Sequence, residues 1–139
     1  MRYWDPSGIV ATLGTQPDPR SRASLLAEDP GAVTWWASKV ECSSALFRLR
    51  RDQKIDERVS TQAFQKLETF FEACLEVAPM EEVRKRAIRL LRIHPLRAAD
   101  ALQLAAALVA SREDPSSLPL VTSDEKLKHA AETEGFTVL

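Results

Sequence analysis

Short runs of β-branched and aromatic residues alternate with helical segments along this chain, and that alternation limits its fold more than any other feature. Arg2 to Trp4 is bulky and aromatic and stops at Asp5-Pro6-Ser7-Gly8, which reads as a turn running into a helix. Ala32 to Trp36 has the composition of a buried strand, and Leu75 to Ala78, Leu118 to Val121 and Phe136 to Leu139 are further strand candidates, the last entered through Gly135. Helices are predicted across Arg20 to Glu28, from a Ser38 cap to near Asp52, and across Ser60 to Ala73, where Phe64, Leu67 and Phe71 recur at helical spacing. Others are predicted across Met80 to Ile93, from Pro95 to about Ser111, and across Asp124 to Glu134. Parallel neighbours need a crossover between them, so the pattern implies a three-layer α/β/α sandwich around a mostly parallel sheet of four to five strands. In such sheets ligands bind beyond the carboxyl ends of the strands, near the point where strand order reverses.

The 139 residues, 45% of them hydrophobic, suit a single domain spanning 1–139. The 19 basic and 20 acidic side chains nearly cancel, so contact with a polyanion requires a local basic patch. The N-terminal residues lack the apolar run of a secretion signal, and no stretch approaches the roughly 18 uncharged apolar residues of a membrane span, which leads us to expect a cytoplasmic protein without membrane partners. Cys42 and Cys74 lack CxxC spacing and read as small apolar side chains rather than a zinc site or a disulfide.

Four acids stand out. Asp5 directly follows the first strand and Asp124 the fourth, so a parallel sheet brings both carboxylates to one edge; each also reads singly as a helix cap. Glu41 falls in the first turn of its helix, where Ser38-Lys39-Val40-Glu41 matches a capping box. Asp100 interrupts a nearly all-apolar helix from Leu96 to Leu108, and a buried carboxylate needs a partner: Arg97 three residues earlier, or a metal ion. Clustered carboxylates repel one another unless a cation joins them, and oxygen donors suit hard cations such as Mg²⁺ or Mn²⁺. Ser7 and Thr122, each two residues from an acid, can orient a carboxylate or hold a water.

With those residues in view, the chain resembles the PIN-domain ribonucleases, and among them the VapC-type toxins of toxin–antitoxin modules. The likeness runs through Tyr3-Trp4-Asp5-Pro6-Ser7-Gly8-Ile9-Val10, Ser38-Lys39-Val40-Glu41, Arg97 to Ala105, and Val121-Thr122-Ser123-Asp124 followed by Lys126-Leu127 and Ala130-Ala131. Pro6 within the first motif, and Gln103 where many relatives carry His, depart from the pattern. The resemblance implies an endoribonuclease in which Asp5, Glu41, Asp100 and Asp124 hold Mg²⁺ or Mn²⁺, leaving 5′-phosphate and 3′-hydroxyl ends. It further implies a homodimer and a cognate antitoxin in a hetero-oligomeric complex. The apolar helical stretches Ser60 to Ala73 and Ala45 to Leu49 offer faces for such partners or for the core.

Candidate RNA contacts are the basic groups Arg48, Arg50, Arg51 and Lys54 on one helix and Arg84, Lys85, Arg89 and Arg92 on another, with Arg97 beside the third acid. Trp35 and Trp36 suggest either base stacking or core packing. Two other readings remain open. A catalytically silent PIN-like binding module keeps the same residues without turnover, and a phosphoacceptor signalling domain also gathers acids around Mg²⁺, though it usually has an acidic pair where Asp5 stands alone.

Overall fold

The computed structural model describes residues 1–15 and 20–139. Four parallel strands form one sheet: β1 (Arg2–Trp4), β2 (Ala32–Trp35), β3 (Leu75–Val77) and β4 (Leu120–Val121), in the order β3-β2-β1-β4. The helices are α1 (Pro6–Thr12), α2 (Arg20–Ala27), α3 (Ser38–Arg51), α4 (Glu57–Ala73), α5 (Glu81–Ile93), α6 (Ala98–Ala110) and α7 (Glu125–Thr133). No helix among the described residues is long and apolar enough to cross a membrane.

β1, β2 and β4 are largely buried and their side chains alternate between two cores, whereas β3, at the edge of the sheet, is mostly exposed. Tyr3, Val33, Trp35 and Leu120 point into one core with residues of α5, α6 and α7. Trp4, Ala32 and Val121 point into the other, against α1, α3 and α4. This is the expected three-layer sandwich. From β1 the chain steps outward to β2 and β3, then returns to place β4 on the other side of β1. Strand order therefore reverses at β1, and the crevice beyond β1 and β4 is where a ligand site belongs.

Several expected boundaries move, each for a local reason. The terminal strand Phe136 to Leu139 shrinks to a single parallel bridge between Val138 and Leu120, although Leu120 N–H still donates to Thr137 and Leu139 N–H to Leu120. The fourth strand begins at Leu120 rather than Leu118, because Pro115–Ser117 forms a 3₁₀ turn and Pro119 has no N–H to donate. Helix α4 starts at Glu57, not Ser60, because Asp56 caps it by accepting from Val59 N–H at 2.8 Å. Helix α6 starts at Ala98 rather than Pro95, with Arg97 extended at its N-cap.

Pro6 sits at the first position of α1, where its missing N–H is no loss and its fixed φ suits the helix. Two residues on, Gly8 lets α1 rest directly on the end of β4. A Cβ at Gly8 would stand 2.8 Å from the Val121 carbonyl oxygen, closer than atoms pack. That approach joins the loop after β1 to the loop after β4.

Gly8→Ala is therefore expected to destabilise the protein by about 1–3 kcal/mol through overpacking. Helix propensity alone would stabilise it by about 1 kcal/mol. Urea unfolding reads the sign, and a stabilised variant would show that the backbone approach is slack.

Candidate functional site

All four acids line a single cleft of about 660 Å³, together with Pro6, Ser7, Val10, Val40, Ser44, Ala45, Arg48 and Leu49. Asp5 enters from the end of β1, Glu41 from the first turn of α3, Asp100 from the first turn of α6, and Asp124 from the N-cap of α7. Residues remote in sequence thus meet at the reversal of strand order.

Asp5 is buried, and three donors converge on one of its oxygens. Oδ2 accepts from Ser7 N–H at 3.0 Å, Ser7 O–H at 2.5 Å and Thr122 O–H at 3.0 Å. Oδ1 has no hydrogen-bond partner among the described residues and is the oxygen left for a ligand. Thr122 Oγ1 also accepts from Asp124 N–H at 3.0 Å, and Ser7 Oγ accepts from Ser123 N–H at 2.8 Å, so the two hydroxyls knit the loops together. Arg22 of α2 adds a clamp, donating to the Thr122 carbonyl at 2.9 Å.

Glu41 does not close a capping box. The N-cap of α3 is Ala37, without a side-chain cap bond, and the Ser38 hydroxyl is buried, 2.8 Å from Thr34 Oγ1, which in turn donates to the Trp4 carbonyl. Burial draws Ser38 into this network instead of the helix end, and Glu41 is thereby released to the cleft. Its carboxylate is held by Gln103, whose Nε2 donates to Glu41 Oε1 and to Ser38 Oγ, both at 2.9 Å. Gln103 Oε1 accepts from the Tyr3 hydroxyl at 2.7 Å. Both donor hydrogens of the amide are engaged, and its oxygen is anchored by a fully buried tyrosine.

Asp124 Oδ1 caps α7 by accepting from Leu127 N–H at 2.8 Å. Asp100 makes no ion pair with Arg97 within 4.0 Å among the described residues, but it lies in the first turn of α6 and its carboxyl accepts from the Arg97 N–H.

The carboxylates feel one another. Burial pushes Asp5 up from 3.8 to about 6, against the pull of the Ser7 and Thr122 donors, and the charge on Asp100 adds to the rise. Glu41 is raised by burial and then by Asp5 and Asp100, with the Gln103 bond opposing. Asp100 is raised by burial and by Asp124, while the Arg97 N–H, the Arg97 side chain and Lys126 oppose. Among the described residues no three His, Cys, Asp or Glu side chains form a closed ligand cage, so the acids flank a cleft rather than clasp one point. This donor set fits Mg²⁺ or Mn²⁺: every available ligand is an oxygen, and such ions keep several waters and need only one or two direct carboxylates.

Of the basic groups, Arg48 lines the acidic cleft and Arg97 lines a neighbouring one that shares Asp100 and Asp124. Arg51 lines neither. Arg50 pairs with Glu57 at 3.4 Å, Arg84 with Glu81, and Arg89 with Glu134 at 2.9 Å, so these charges are largely spent within the fold. Trp35 is core, as strand position requires, whereas Trp36 is exposed. Cys42 is buried and Cys74 half-buried, both as free thiols.

Sequence reasoning undervalued Gln103 and Ser38. The available signal was a polar side chain in an otherwise apolar stretch: Gln103 lies three residues after Asp100, on the same side of α6.

No curated protein matches this sequence. Among solved structures, the crystal structure of FitAcB from Neisseria gonorrhoeae is similar, with a TM-score of 0.63 and 20% identity over 100% of this chain and 96% of that one. The family model described as PIN domain matches residues 3–133, and the chain belongs to the PIN domain family.

Proposed function

We propose that this protein is a metal-dependent endoribonuclease and the toxin of a toxin–antitoxin pair, hydrolysing RNA phosphodiester bonds at Asp5, Glu41, Asp100 and Asp124. PIN domains are generally nucleases. The observation that carries the reading further is a single cleft lined by four carboxylates, three of them raised by burial and by each other's charge.

When bound, a divalent cation supplies Lewis acidity toward the scissile phosphate and lowers the pKa of a coordinated water. The chain's own residues hold the geometry for this. Ser7 and Thr122 fix Asp5 through Oδ2 and leave Oδ1 without a hydrogen-bond partner among the described residues. Gln103 fixes Glu41, and its amide neither gives up nor gains a proton in doing so. Asp100 and Asp124 complete the opposite wall, and Arg48 brings a cation to the rim for the RNA backbone. The resemblance to VapC-type toxins extends the proposal to a cytoplasmic homodimer silenced by an antitoxin. A silent PIN-like binding module is the alternative, and turnover separates the two.

Asp5→Asn and Asp100→Asn are expected each to abolish Mg²⁺- or Mn²⁺-dependent cleavage of a mixed RNA pool, and full activity in both variants would refute the assignment. The same Asp5 change has a stability signature. A carboxyl whose folded value lies above its unfolded one binds its proton more tightly in the native state. Native stability is then greatest below about pH 4 and falls as pH rises to about 6, by roughly 3 kcal/mol for this shift. In chelator at pH 7, Asp5→Asn should be more stable than wild type by about 1–3 kcal/mol, with the gap closing near pH 4.

Asp5 must shed its proton to act as a ligand. With a value of about 6, roughly one-tenth of it is ionised at pH 5 and nine-tenths at pH 7. Titration calorimetry should therefore find Mn²⁺ bound roughly tenfold more weakly at pH 5 than at pH 7. A pH-independent affinity would place the ion elsewhere.

Gln103→Leu strands Tyr3, Ser38 and Glu41 together. A loss of about 1–3 kcal/mol of stability and a roughly 10- to 100-fold weaker Mn²⁺ affinity are expected. Unchanged metal affinity would reduce Gln103 to a packing residue.

A further inference from the structure

Building on the metal-site reading of Glu41, we propose that Thr34 and Tyr3 are positioning residues for that carboxylate, acting through a buried polar chain in which every hydrogen has one destination. Neither is hydrogen-bonded to Glu41 among the described residues. Tyr3 lies on β1, Thr34 on β2, Ser38 at the start of α3 and Gln103 on α6, and all four are at most 1% exposed. Polar groups so far from water must find their partners within the protein.

Five contacts join these groups, and one hydrogen bridges each. Thr34 Oγ1 lies 2.7 Å from the Trp4 carbonyl, which has no hydrogen to give, so the threonine hydroxyl hydrogen is committed there. The 2.8 Å contact between Thr34 Oγ1 and Ser38 Oγ must then carry the Ser38 hydrogen. Ser38 Oγ is left only to accept, and at 2.9 Å it faces Gln103 Nε2. The second hydrogen of that nitrogen reaches Glu41 Oε1, also at 2.9 Å. Behind the amide, the Tyr3 hydroxyl donates to Gln103 Oε1 at 2.7 Å. Thr34, Ser38 and Tyr3 supply one hydrogen each and the amide two, so the five hydrogens serve the five contacts with none to spare.

The opposite orientation of the amide fails at every contact that Gln103 makes. Its oxygen would face Ser38 Oγ with no hydrogen between them and would face the Glu41 carboxylate as well, while the Tyr3 hydrogen would meet an NH₂ group that cannot accept it. The orientation is thus set from the far ends of the chain. The Trp4 carbonyl fixes its direction through Thr34, and the Tyr3 phenol holds the amide oxygen. Without the Thr34 hydroxyl the Ser38 hydrogen is free to turn toward Gln103, and a reversed amide becomes tolerable at that contact. Without the Tyr3 hydroxyl the amide oxygen is buried with no donor, a costly state that pulls the side chain away from Glu41.

The test measures Mn²⁺ affinity of the full chain by titration calorimetry at pH 7. Thr34→Val and Tyr3→Phe keep the shape of their side chains and remove one hydroxyl each. Each should weaken Mn²⁺ binding about tenfold, the lower end of what losing an outer partner of a metal ligand costs. Thr34→Ser keeps the hydroxyl and should bind within about twofold of wild type. In a Gln103→Leu background, Thr34→Val and Tyr3→Phe should each add less than about twofold, because the amide through which they act is gone. Val83→Ala, buried on α5 and outside the chain of hydrogen bonds, lowers stability and should leave affinity unchanged. Where wild type binds Mn²⁺, four results overturn the positioning role alone: unchanged affinity in Thr34→Val and Tyr3→Phe, a Thr34→Ser as weak as Thr34→Val, losses that add fully to that of Gln103→Leu, or an equal loss in Val83→Ala. Wild type that binds no Mn²⁺ overturns the metal-site reading, and the positioning role with it.

Discussion

A buried carboxylate without a cation beside it is the constraint around which the molecule is arranged. Asp5 stands at the end of the central strand, 5% exposed, with no ion-pair partner among the described residues. Isolated buried charge is among the costliest things a fold can contain. The protein offsets part of that cost with Ser7 and Thr122, whose donors all reach one oxygen. Such an arrangement requires the loops after β1 and β4 to touch, which they do because α1 closes on the Val121 carbonyl at Gly8. The remaining strain, visible in the raised value of Asp5, is what a functional site retains when stability is not the only demand on it.

Much of this was legible in the sequence. Asp5 and Asp124 follow strands, and in a parallel sheet strand ends share an edge, so their meeting needed only the layer rule. Asp100 was legible as a polar break in the apolar helix around it, and among the described residues it forms no ion pair within 4.0 Å with Arg97, whose N–H it nonetheless accepts. Boundaries were less legible where one side chain decides them: Asp56 begins α4 earlier than its hydrophobic spacing suggests, and Pro119 shortens β4. The capping box at Ser38 misled because capping is a local signal, and burial against Thr34 and Gln103, residues far away in the chain, outweighs it. Sequence spacing records neighbours within a helix well and contacts between layers poorly.

Gln103 shows what the second kind of information adds. As a departure from a histidine it reads as a weakened site, since an amide cannot titrate. In place, it is better described as a strut: one amide spans β1, α3 and α6 through Tyr3, Ser38 and Glu41. Its two donors and its acceptor are matched to an anion, a hydroxyl oxygen and a phenol, an assignment that only one amide orientation satisfies. A protonatable ring there would change its bonding with pH, whereas the amide keeps the position of Glu41 independent of acidity. The pH sensitivity of the cleft is thereby confined to the carboxylates themselves.

The near-zero net charge conceals a sorting that the fold carries out. On α5, Arg84, Arg86 and Arg89 are taken up by Glu81, Glu82, Glu113 and Glu134, and α3 loses Arg50 to Glu57, while Lys85 and Arg92 of α5 and Arg51 of α3 take part in no ion pair within 4.0 Å among the described residues. Around the crevice four carboxylates line one cleft, and among the described residues Arg48, Arg97 and Lys126 at its margins take part in no ion pair within 4.0 Å. Exposed pairs on helices contribute little stability, typically under about 1 kcal/mol, so the pairing is not there to hold the fold together. Its consequence is contrast. Part of the distant charge is cancelled in pairs, whereas four carboxylates are gathered in one cleft at the reversal of strand order. That is where a hydrated cation and a phosphodiester backbone would each find an opposite charge within reach.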